Sequence, residues 1–403
     1  MCYISVRRLL GYWLWLSPSV ASAAYAPLRE YAGSNFFDGW DYYGFHDNTT
    51  WGNVTYVDRQ TAMSSRLTYV NGAGNAVVKV DNTSFIQNGP LVYRNSVRIT
   101  SQEVYGIGSL IIIDVRHIPY GCSVWPAFWT LGSGKTWPQG GEIDIIESIN
   151  LLPNNQIALH TTPGCFQSQN LGQTGQTTEG DCSTPQGCVV RETKANSYGS
   201  GFAQAGGGVW ATQIDASGIF IWFWSRPDVP ENIKTSNNAS YIDTVPWGIP
   251  TASYPADGCN NISQYFTPQN LILLTTLCGN WAGVPGIYDS TCHTPTMSCA
   301  VDNVVGPGSP TYDQAYWEIS WIRTYTLALP GQPTTITSSD PPVQDASSMT
   351  VSRGATTSTT QATSEALTPG PTVSSAVSST LPTTSCVFGS VLLVAMLGYL
   401  MLP

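Results

Sequence analysis

Three carboxylates lie close together in residues 140–148, whose sequence is Gly-Gly-Glu-Ile-Asp-Ile-Ile-Glu-Ser. The isoleucines between them favour a β-strand. Residues two apart in a strand share a face, so Glu142 and Asp144 should point the same way. Glu147 lies at an odd spacing from Glu142 and reaches that face only if a β-bulge absorbs one of the two preceding isoleucines. With this bulge, we expect all three carboxylates to line one face of the strand.

Two glutamates on one face indicate acid–base chemistry on a sugar. With the bulge, the Cα atoms of Glu142 and Glu147 would lie about 13 Å apart, at ~3.3 Å per residue. Side chains that lean together across Asp144 could narrow the carboxyl separation to ~5–5.5 Å, at which a retaining glycosidase holds its nucleophile and its acid/base. Three clustered carboxyls cannot all ionise at neutral pH, so at least one should keep the proton that a general acid needs. The alternative is a solvated acidic strand edge, against which the surrounding tryptophans argue.

A tryptophan-rich segment precedes the three carboxylates, since residues 125–129 read Trp-Pro-Ala-Phe-Trp. Together with Glu-Ile-Asp-Ile-Ile-Glu, this segment closely resembles the active-site signature of glycoside hydrolase family 16 in its bulged, laminarinase-type form. Within that family the sequence looks most like the fungal endo-1,3(4)-β-glucanases. Shorter flanking stretches agree, so the resemblance covers roughly residues 25–326. These stretches are residues 31–40, 206–211, 277–283 and 315–325.

The resemblance implies a role for each carboxylate. Glu142 would be the nucleophile, Glu147 the acid/base, and Asp144 an assisting carboxylate that hydrogen-bonds Glu142. Matches to family positions also imply four substrate-binding residues: Trp129, Trp137, His160 and Trp281. We place Trp125 in the scaffold rather than in a subsite.

Two features leave the fine specificity open. Ser148 occupies a position where glycine is frequent in related sequences, and an insert at residues 167–187 could reshape one edge of the cleft.

We predict that the protein needs no organic cofactor. We also predict no metal site, because the sequence has no Cys-x-x-Cys spacing and its four histidines are scattered.

Strand patterns dominate the rest of the chain. Residues 109–116 alternate between two apolar faces, residues 218–225 and 271–277 are almost continuously apolar or aromatic, and residues 317–325 alternate again. This pattern predicts an all-β sandwich. The resemblance sharpens the prediction to a β-jelly roll of the concanavalin A-like kind, with a concave sheet that forms the substrate cleft.

Composition separates one globular domain from a tail. The chain has 403 residues and 14 tryptophans, yet no aromatic residue lies between Tyr325 and Phe388. We therefore assign residues 24–330 to the catalytic domain and residues 331–376 to a disordered, Ser/Thr/Pro-rich stalk. The formal net charge of −10 argues against a nucleic-acid partner.

Both ends of the chain have the features of targeting signals. Residues 1–23 combine Arg7 and Arg8, an apolar run and an Ala-Ser-Ala cleavage pattern, as secretory signal peptides do. Residues 377–403 read as a GPI-attachment signal, with Ser374 as the attachment residue and Ser378 or Ser379 as alternatives. The rival interpretation is a C-terminal transmembrane helix. We expect the protein on the extracellular face of the cell membrane, or in the cell wall.

Ten cysteines fit an exported protein. Cys2 and Cys386 fall in the segments expected to be removed, and the other eight predict four disulfides, among which Cys292–Cys299 is a plausible local loop. The eight are Cys122, Cys165, Cys182, Cys188, Cys259, Cys278, Cys292 and Cys299. Five sequons predict N-glycans at Asn48, Asn53, Asn82, Asn238 and Asn261.

These observations favour a secreted, membrane-anchored, monomeric endo-glucanase. Its partner would be a β-glucan polysaccharide with internal 1,3 or mixed 1,3/1,4 linkages. One alternative is a wall-remodelling transglycosylase, although the extra residue between Asp144 and Glu147 departs from the unbulged form expected of such enzymes. A second alternative is a non-catalytic glucan-binding wall protein, against which the retention of all three carboxylates argues.

Overall fold

The computed structural model describes residues 24–167, 172–292, 296 and 298–328. The predicted signal peptide, the stalk, the anchor signal and Ser374 lie outside the described residues. Within the described part of the chain, no helix is both long enough and apolar enough to cross a membrane.

Strands make up most of the described chain, as the alternating patterns predicted. They are β1 (Ala24–Ala32), β2 (Trp40–Tyr42), β3 (Val54–Tyr56), β4 (Thr68–Val70), β5 (Ala76–Lys79), β6 (Arg94–Ser96), β7 (Arg98–Tyr105), β8 (Ser109–His117), β9 (Val124–Gly132), β10 (Glu142–Glu147), β11 (Gln156–His160), β12 (Gln176–Glu179), β13 (Cys188–Arg191), β14 (Gly208–Asp215), β15 (Gly218–Ser225), β16 (Ile242–Asp243), β17 (Ala252–Pro255), β18 (Gln269–Leu277) and β19 (Tyr316–Leu327). The α-helices are short. They are α1 (Arg59–Ser64), α2 (Gly199–Gln204), α3 (Glu231–Lys234), α4 (Ile262–Tyr265), α5 (Gly279–Ala282) and α6 (Pro285–Cys292).

Two large antiparallel sheets contain nearly all of these strands. The eight-stranded sheet, called the cleft sheet below, has the order β12-β13-β11-β10-β9-β18-β7-β2. The nine-stranded sheet, called the covered sheet, has the order β16-β1-β19-β8-β14-β15-β17, with β5 and β4 added at β19. A short parallel pair, β3 and β6, stands apart. This arrangement confirms the predicted all-β jelly roll.

Period-two alternation decides which side chains fill the core between the sheets. On β8, Ile111, Ile113 and Val115 pack into the main core, whereas Leu110 and Ile112 pack into a second cluster on the outer face of the covered sheet. On the cleft sheet, the core side chains belong to residues such as Phe128, Ile143, Leu159 and Leu273. The residues that alternate with them line a cavity of about 870 Å³ on the opposite face. The cleft sheet therefore has one apolar face and one face free for chemistry.

Four disulfides tie the loops to this framework. They are Cys122–Cys292, Cys165–Cys259, Cys182–Cys188 and Cys278–Cys299. All eight predicted cysteines are paired, but the predicted Cys292–Cys299 loop is wrong. Cys292, at the end of α6, lies 5.7 Å in Cα–Cα distance from Cys122, while Cys299 lies 5.8 Å from Cys278 after β18. Tertiary packing of the helix, rather than closeness in sequence, selects the partners.

Candidate active site

A β-bulge in β10 aligns the three carboxylates, as their spacing predicted. Asp144 pairs with Trp129 on β9, and the next pair joins Ile146 to Phe128, so Ile145 is the extra residue. Both isoleucines of the bulge are buried in the main core. Because the bulge absorbs one residue, Glu147 returns to the same face as Glu142 and Asp144, and all three line the cleft.

Each glutamate accepts a hydrogen bond from an indole N–H. Trp137 Nε1 donates to Glu142 Oε2 at 2.5 Å, and Trp125 Nε1 donates to Glu147 Oε1 at 2.9 Å. Trp125 is buried and lines the cleft, so its placement in the scaffold alone is wrong. Its position four residues before Trp129 on β9 puts it on the same face as the carboxylates, which strand alternation could have shown.

Asp144 lies between the two glutamates and is buried. Asp144 and Glu142 lie two residues apart on the same face of β10, so their carboxyls are neighbours in the cleft. His160 Nε2 lies 3.3 Å from Asp144 Oδ2, yet that oxygen has no hydrogen-bond partner of good geometry among the described residues. His160 also sits directly opposite Glu142 in the β10–β11 pairing, which explains how a residue 18 positions away reaches the centre of the site.

Burial raises the pKa of all three carboxyls. The pKa of Glu142 lies well above its ordinary value because of burial and then the nearby charge of Asp144. Burial raises the pKa of Asp144 to about 7, and burial together with the charge of Asp144 raises the pKa of Glu147 to about 8. The indole hydrogen bonds to Glu142 and Glu147 oppose these shifts. The cluster therefore keeps protons at acidic pH, and a proton donor is available within it.

Aromatic side chains form the walls on both sides of the carboxylates. Trp137 is 51% exposed, and its ring centroid lies 5.9 Å from that of His160. Trp129 and Trp281 also line the cleft, and Trp281 packs edge-on against Trp125 with centroids 5.4 Å apart. Flat apolar faces beside hydroxyl-binding groups suit the C–H faces of sugar rings. The structure thus brings together all four residues that the resemblance implied for substrate binding.

Arg98 lines the cleft, although the sequence pattern did not predict it there. Its guanidinium carbon lies 4.8 Å from the Tyr43 ring centroid and 5.4 Å from that of Trp129, and its side chain is almost fully buried. Its Nε has no hydrogen-bond partner among the described residues. Arg98 begins β7, two strands away from β9 in the sheet order, and no local signal in the sequence links it to the carboxylates.

The insert at residues 167–187 does contribute to the cleft wall. Thr178 and Glu179 of β12 and Pro185 and Gln186 of the following loop line the cavity. The Cys182–Cys188 disulfide closes that loop. The insert therefore extends the cleft beyond β11 with polar side chains.

One group of donor atoms could hold a cation. Glu142, Asp144 and His160 each offer a ligand atom within 4.8 Å of the other two, the single such group found in the described part of the chain. A cation there would occupy the carboxylates that the predicted acid–base chemistry needs, so we name no metal.

The five sequons differ in their surroundings. Asn48, Asn238 and Asn261 are exposed. Asn53 Nδ2 donates to the Val92 carbonyl at 3.0 Å, and Asn82 Nδ2 donates to Asp313 at 2.7 Å. A glycan at either of the last two would have to displace that bond, so the three exposed asparagines are the better acceptors.

The sequence is similar to a known protein family and to several fungal proteins. A family model described as the XgeA-like, catalytic GH16 domain matches residues 40–325. The endo-1,3(4)-β-glucanase xgeA of Emericella nidulans is 37% identical over 328 residues, which are 76% of this chain and 50% of that protein. A probable glycosidase of Schizosaccharomyces pombe is 34% identical over 315 residues, 76% of this chain and 71% of that protein. The chain thus spans about half the length of the endo-glucanase relatives that it matches.

Two solved structures share the fold at appreciable identity. GH16 Laminarinase 16A from Phanerochaete chrysosporium, with β-glucans in donor and acceptor sites, is 37% identical with a TM-score of 0.70. An elongating GH family 16 β-1,3-glucosyltransferase is 35% identical with a TM-score of 0.68. Each match covers 75% of this chain and 100% of the other.

Proposed function

This chain belongs to glycoside hydrolase family 16, and we propose that it hydrolyses internal 1,3- or 1,4-β-glucosidic bonds in 1,3-β- and mixed-linked 1,3(4)-β-glucans with retention of configuration. The observation that carries this proposal is the bulge in β10, which places Glu142, Asp144 and Glu147 side by side in a tryptophan-lined cleft. The relatives named as endo-1,3(4)-β-glucanases and the laminarinase with bound β-glucans support the substrate class.

The first step of the proposed reaction forms a covalent intermediate. The carboxylate of Glu142 attacks the anomeric carbon, the bond to the leaving oxygen breaks, and Glu147 gives its proton to that oxygen. The raised pKa of Glu147 supports this acid role, because the group must be protonated before the step. The two glutamates have similar surroundings, since each accepts a hydrogen bond from one indole N–H. The assignment of Glu142 as nucleophile and Glu147 as acid therefore rests on the family resemblance.

The second step returns the enzyme to its starting state. Glu147, now ionised, takes a proton from water, the water oxygen attacks the anomeric carbon, and Glu142 is released as a carboxylate. Asp144, whose pKa is raised to about 7, is protonated in mildly acidic medium and can then donate a hydrogen bond to the ionised Glu142. That bond orients the nucleophile and favours its charged form.

Product analysis tests the reaction. The full chain, produced through the secretory pathway of a eukaryotic host so that its disulfides form, is incubated with laminarin and with barley β-glucan, and Glu142→Ser serves as control. Shorter oligosaccharides with new reducing ends, absent from the variant, are the expected result, and the ratio between the two polymers gives the linkage preference. No reaction of the wild-type chain on either polymer would overturn the proposal.

A transglycosylase is the second candidate, because the glucosyltransferase structure is 35% identical to this chain. The same glycosyl-enzyme forms products longer than the donor when a sugar hydroxyl replaces water. Longer products in the same experiment would favour this candidate. The non-catalytic binding protein is no longer proposed, because the family and the named relatives are glycosidases.

We further propose that the enzyme is secreted and held on the outer membrane face by a GPI anchor at Ser374. The signals at residues 1–23 and 377–403 support this location, and so do four disulfides, which are rare in reducing compartments. Release of the enzyme from intact cells by phosphatidylinositol-specific phospholipase C is the expected result. Retention on the cells after this treatment, in a form that only detergent extracts, would favour a transmembrane helix.

A further inference from the structure

The bulge in β10 interrupts the regular β10–β11 ladder. On the β11 side, Asp144 pairs with Ala158 and Glu147 with Gln156, so two residues of β10 face one residue of β11. A buried N–H or C=O without a partner costs roughly 1–3 kcal/mol. The bulge therefore needs a polar side chain that substitutes for the missing strand bonds.

Asn155 supplies that side chain. Its Oδ1 accepts the backbone N–H of Glu147 at 2.9 Å, and its Nδ2 donates to the Ile145 carbonyl at 3.1 Å. The second Nδ2 hydrogen goes to the Gln156 carbonyl at 3.1 Å. One fully buried amide thus bridges both ends of the bulged segment and the start of β11.

Asn155 is itself held on both backbone sides. Its N–H donates to the Ser197 hydroxyl at 3.0 Å, and its carbonyl accepts the Glu192 N–H at 3.0 Å. Ser197 and Glu192 are buried, and Glu192 is fully engaged by the Thr251 hydroxyl and by the N–H groups of its two successors. The amide therefore meets the bulge in a fixed position.

We propose that Asn155 is the positioning residue that keeps Glu147 on the cleft face. A strand shifted by one residue exposes its opposite set of side chains. If the bulge closed into a regular strand, Glu147 would turn toward the core while Glu142 and Asp144 stayed in place. Substrate binding would persist, whereas proton donation would be lost. This inference rests on the proposed function for its catalytic readout.

The test is a double-mutant cycle with the extra residue of the bulge. In the full chain, Asn155→Ala should lower kcat on laminarin about 100-fold, the scale of a lost general acid, and leave KM nearly unchanged. Deletion of Ile145 removes the bulge and restores an even spacing between the glutamates, so that Asn155 has nothing left to hold. In this deletion background, Asn155→Ala should change kcat by less than about threefold. An equal loss in both backgrounds would overturn the proposal.

Two further variants separate positioning from general destabilisation. Asn303 is also buried and donates to the Cys299 carbonyl at 3.2 Å, but it does not line the cleft. Asn303→Ala should lower the unfolding temperature without the kcat loss. Asn155→Asp keeps the acceptor for the Glu147 N–H but loses the donor to Ile145, so its kcat should fall between those of Asn155→Ala and the wild type. A kcat loss in Asn303→Ala as large as that in Asn155→Ala, or a wild-type kcat in Asn155→Asp, would contradict the proposal.

The same double-mutant cycle can be measured with the unfolding temperature instead of enzyme activity. If the wild-type chain degraded no glucan, the proposed function would fail, yet the unfolding temperature would still report the coupling. Asn155→Ala should then destabilise the chain that contains Ile145 more than the chain that lacks it. Equal destabilisation in both would show that Asn155 does not act through the bulge.

Discussion

The cleft sheet and the covered sheet both carry tryptophans on their outer faces, but they use them differently. On the covered sheet, Trp222 packs against Trp247 with ring centroids 5.4 Å apart, and its Nε1 donates to the Gly248 carbonyl at 3.0 Å. Over the cleft sheet, the indole N–H groups of Trp125, on β9, and Trp137, in the loop before β10, go to carboxylates instead. Tryptophan therefore shields the outer face of the covered sheet from water, whereas at the cleft sheet it hydrogen-bonds the carboxylates.

The carboxylates of the two sheets show the same contrast. Asp114 of the covered sheet accepts two hydrogen bonds from Arg226, at 2.7 and 2.8 Å. Among the described residues, no lysine or arginine forms an ion pair with Glu142, Asp144 or Glu147, and their pKa values are raised. A carboxylate that only stabilises a fold is neutralised by a lysine or arginine. A carboxyl cluster that has no such cationic partner can take up and release protons.

Removing the nucleophile should have the largest effect. Glu142→Ser takes away the group that forms the covalent intermediate, so turnover on laminarin should fall by at least about 10⁴-fold. Asp114→Asn is the matched change on the covered sheet; it weakens the bidentate pair with Arg226 and should lower the unfolding temperature with kcat retained. Reducing-sugar assays and thermal unfolding of both variants check the contrast, and comparable kcat losses would abolish it.

Replacing the central carboxyl by a group that cannot titrate should have the next largest effect. Asp144→Asn can no longer share a proton with Glu142, so we expect kcat to fall by about 10²-fold with little change in KM. Steady-state kinetics on laminarin measures both constants. Wild-type turnover in this variant would remove Asp144 from the mechanism.

A pair of tryptophan substitutions should separate binding from stability. Trp137→Ala removes the exposed indole that we propose as a sugar platform, and it should raise KM about tenfold, with a reduced kcat because the bond to Glu142 is also lost. Trp137→Phe, which keeps the ring face, should recover most of the KM but not the kcat.

Trp247→Ala, in the short helical turn that packs on the covered sheet, should do the opposite. It opens a cavity beside Trp222 and should cost about 3–5 kcal/mol of unfolding free energy, with kinetic constants unchanged while the chain is folded. Denaturant unfolding and kinetics of the same preparations provide the comparison. A KM effect in Trp247→Ala would show that the outer face of the covered sheet also serves the substrate.

The last prediction concerns the pH dependence of stability. The pKa values of Asp144 and Glu147 are raised in the folded chain, to about 7 and about 8, so the folded state binds more protons than the unfolded state above about pH 4. This contribution is fully present below the unfolded pKa values and is lost as the pH rises through 7 and 8. The unfolding temperature should therefore fall between about pH 5 and 8, and Glu147→Gln should flatten the slope. A rise over that interval in the wild type would contradict the raised pKa values.

Local spacing was enough to predict the strand face, the bulge and the carboxylate cluster. The strands expected at residues 218–225 and 317–325 are present as Gly218–Ser225 and Tyr316–Leu327. A strand buried on both faces is almost continuously apolar, and a strand buried on one face alternates, so both are visible in the sequence. The odd spacing of Glu147 indicated the bulge for the same reason.

Contacts that depend on pairing between distant strands could not be predicted in this way. Arg98 reaches the cleft through the position of β7 in the sheet, and the partner of Cys292 depends on where α6 packs. The role of Asn155 becomes apparent only when the pairing of β10 with β11 is known. Trp125 is the exception, since its position on the same strand face as Trp129 already indicated the cleft.

Trapping of the glycosyl-enzyme tests the central claim most directly. The full chain is incubated with a 2-deoxy-2-fluoro-β-laminaribiosyl fluoride, which slows the second step of a retaining mechanism more than the first, and peptides are then mapped by mass spectrometry. We predict one added 2-deoxy-2-fluoro-laminaribiosyl group per chain, linked as an ester to Glu142, and none in Glu142→Ser. An ester on Glu147, or an unlabelled chain that nevertheless hydrolyses laminarin with inversion, would contradict the assignment of the cleft carboxylates.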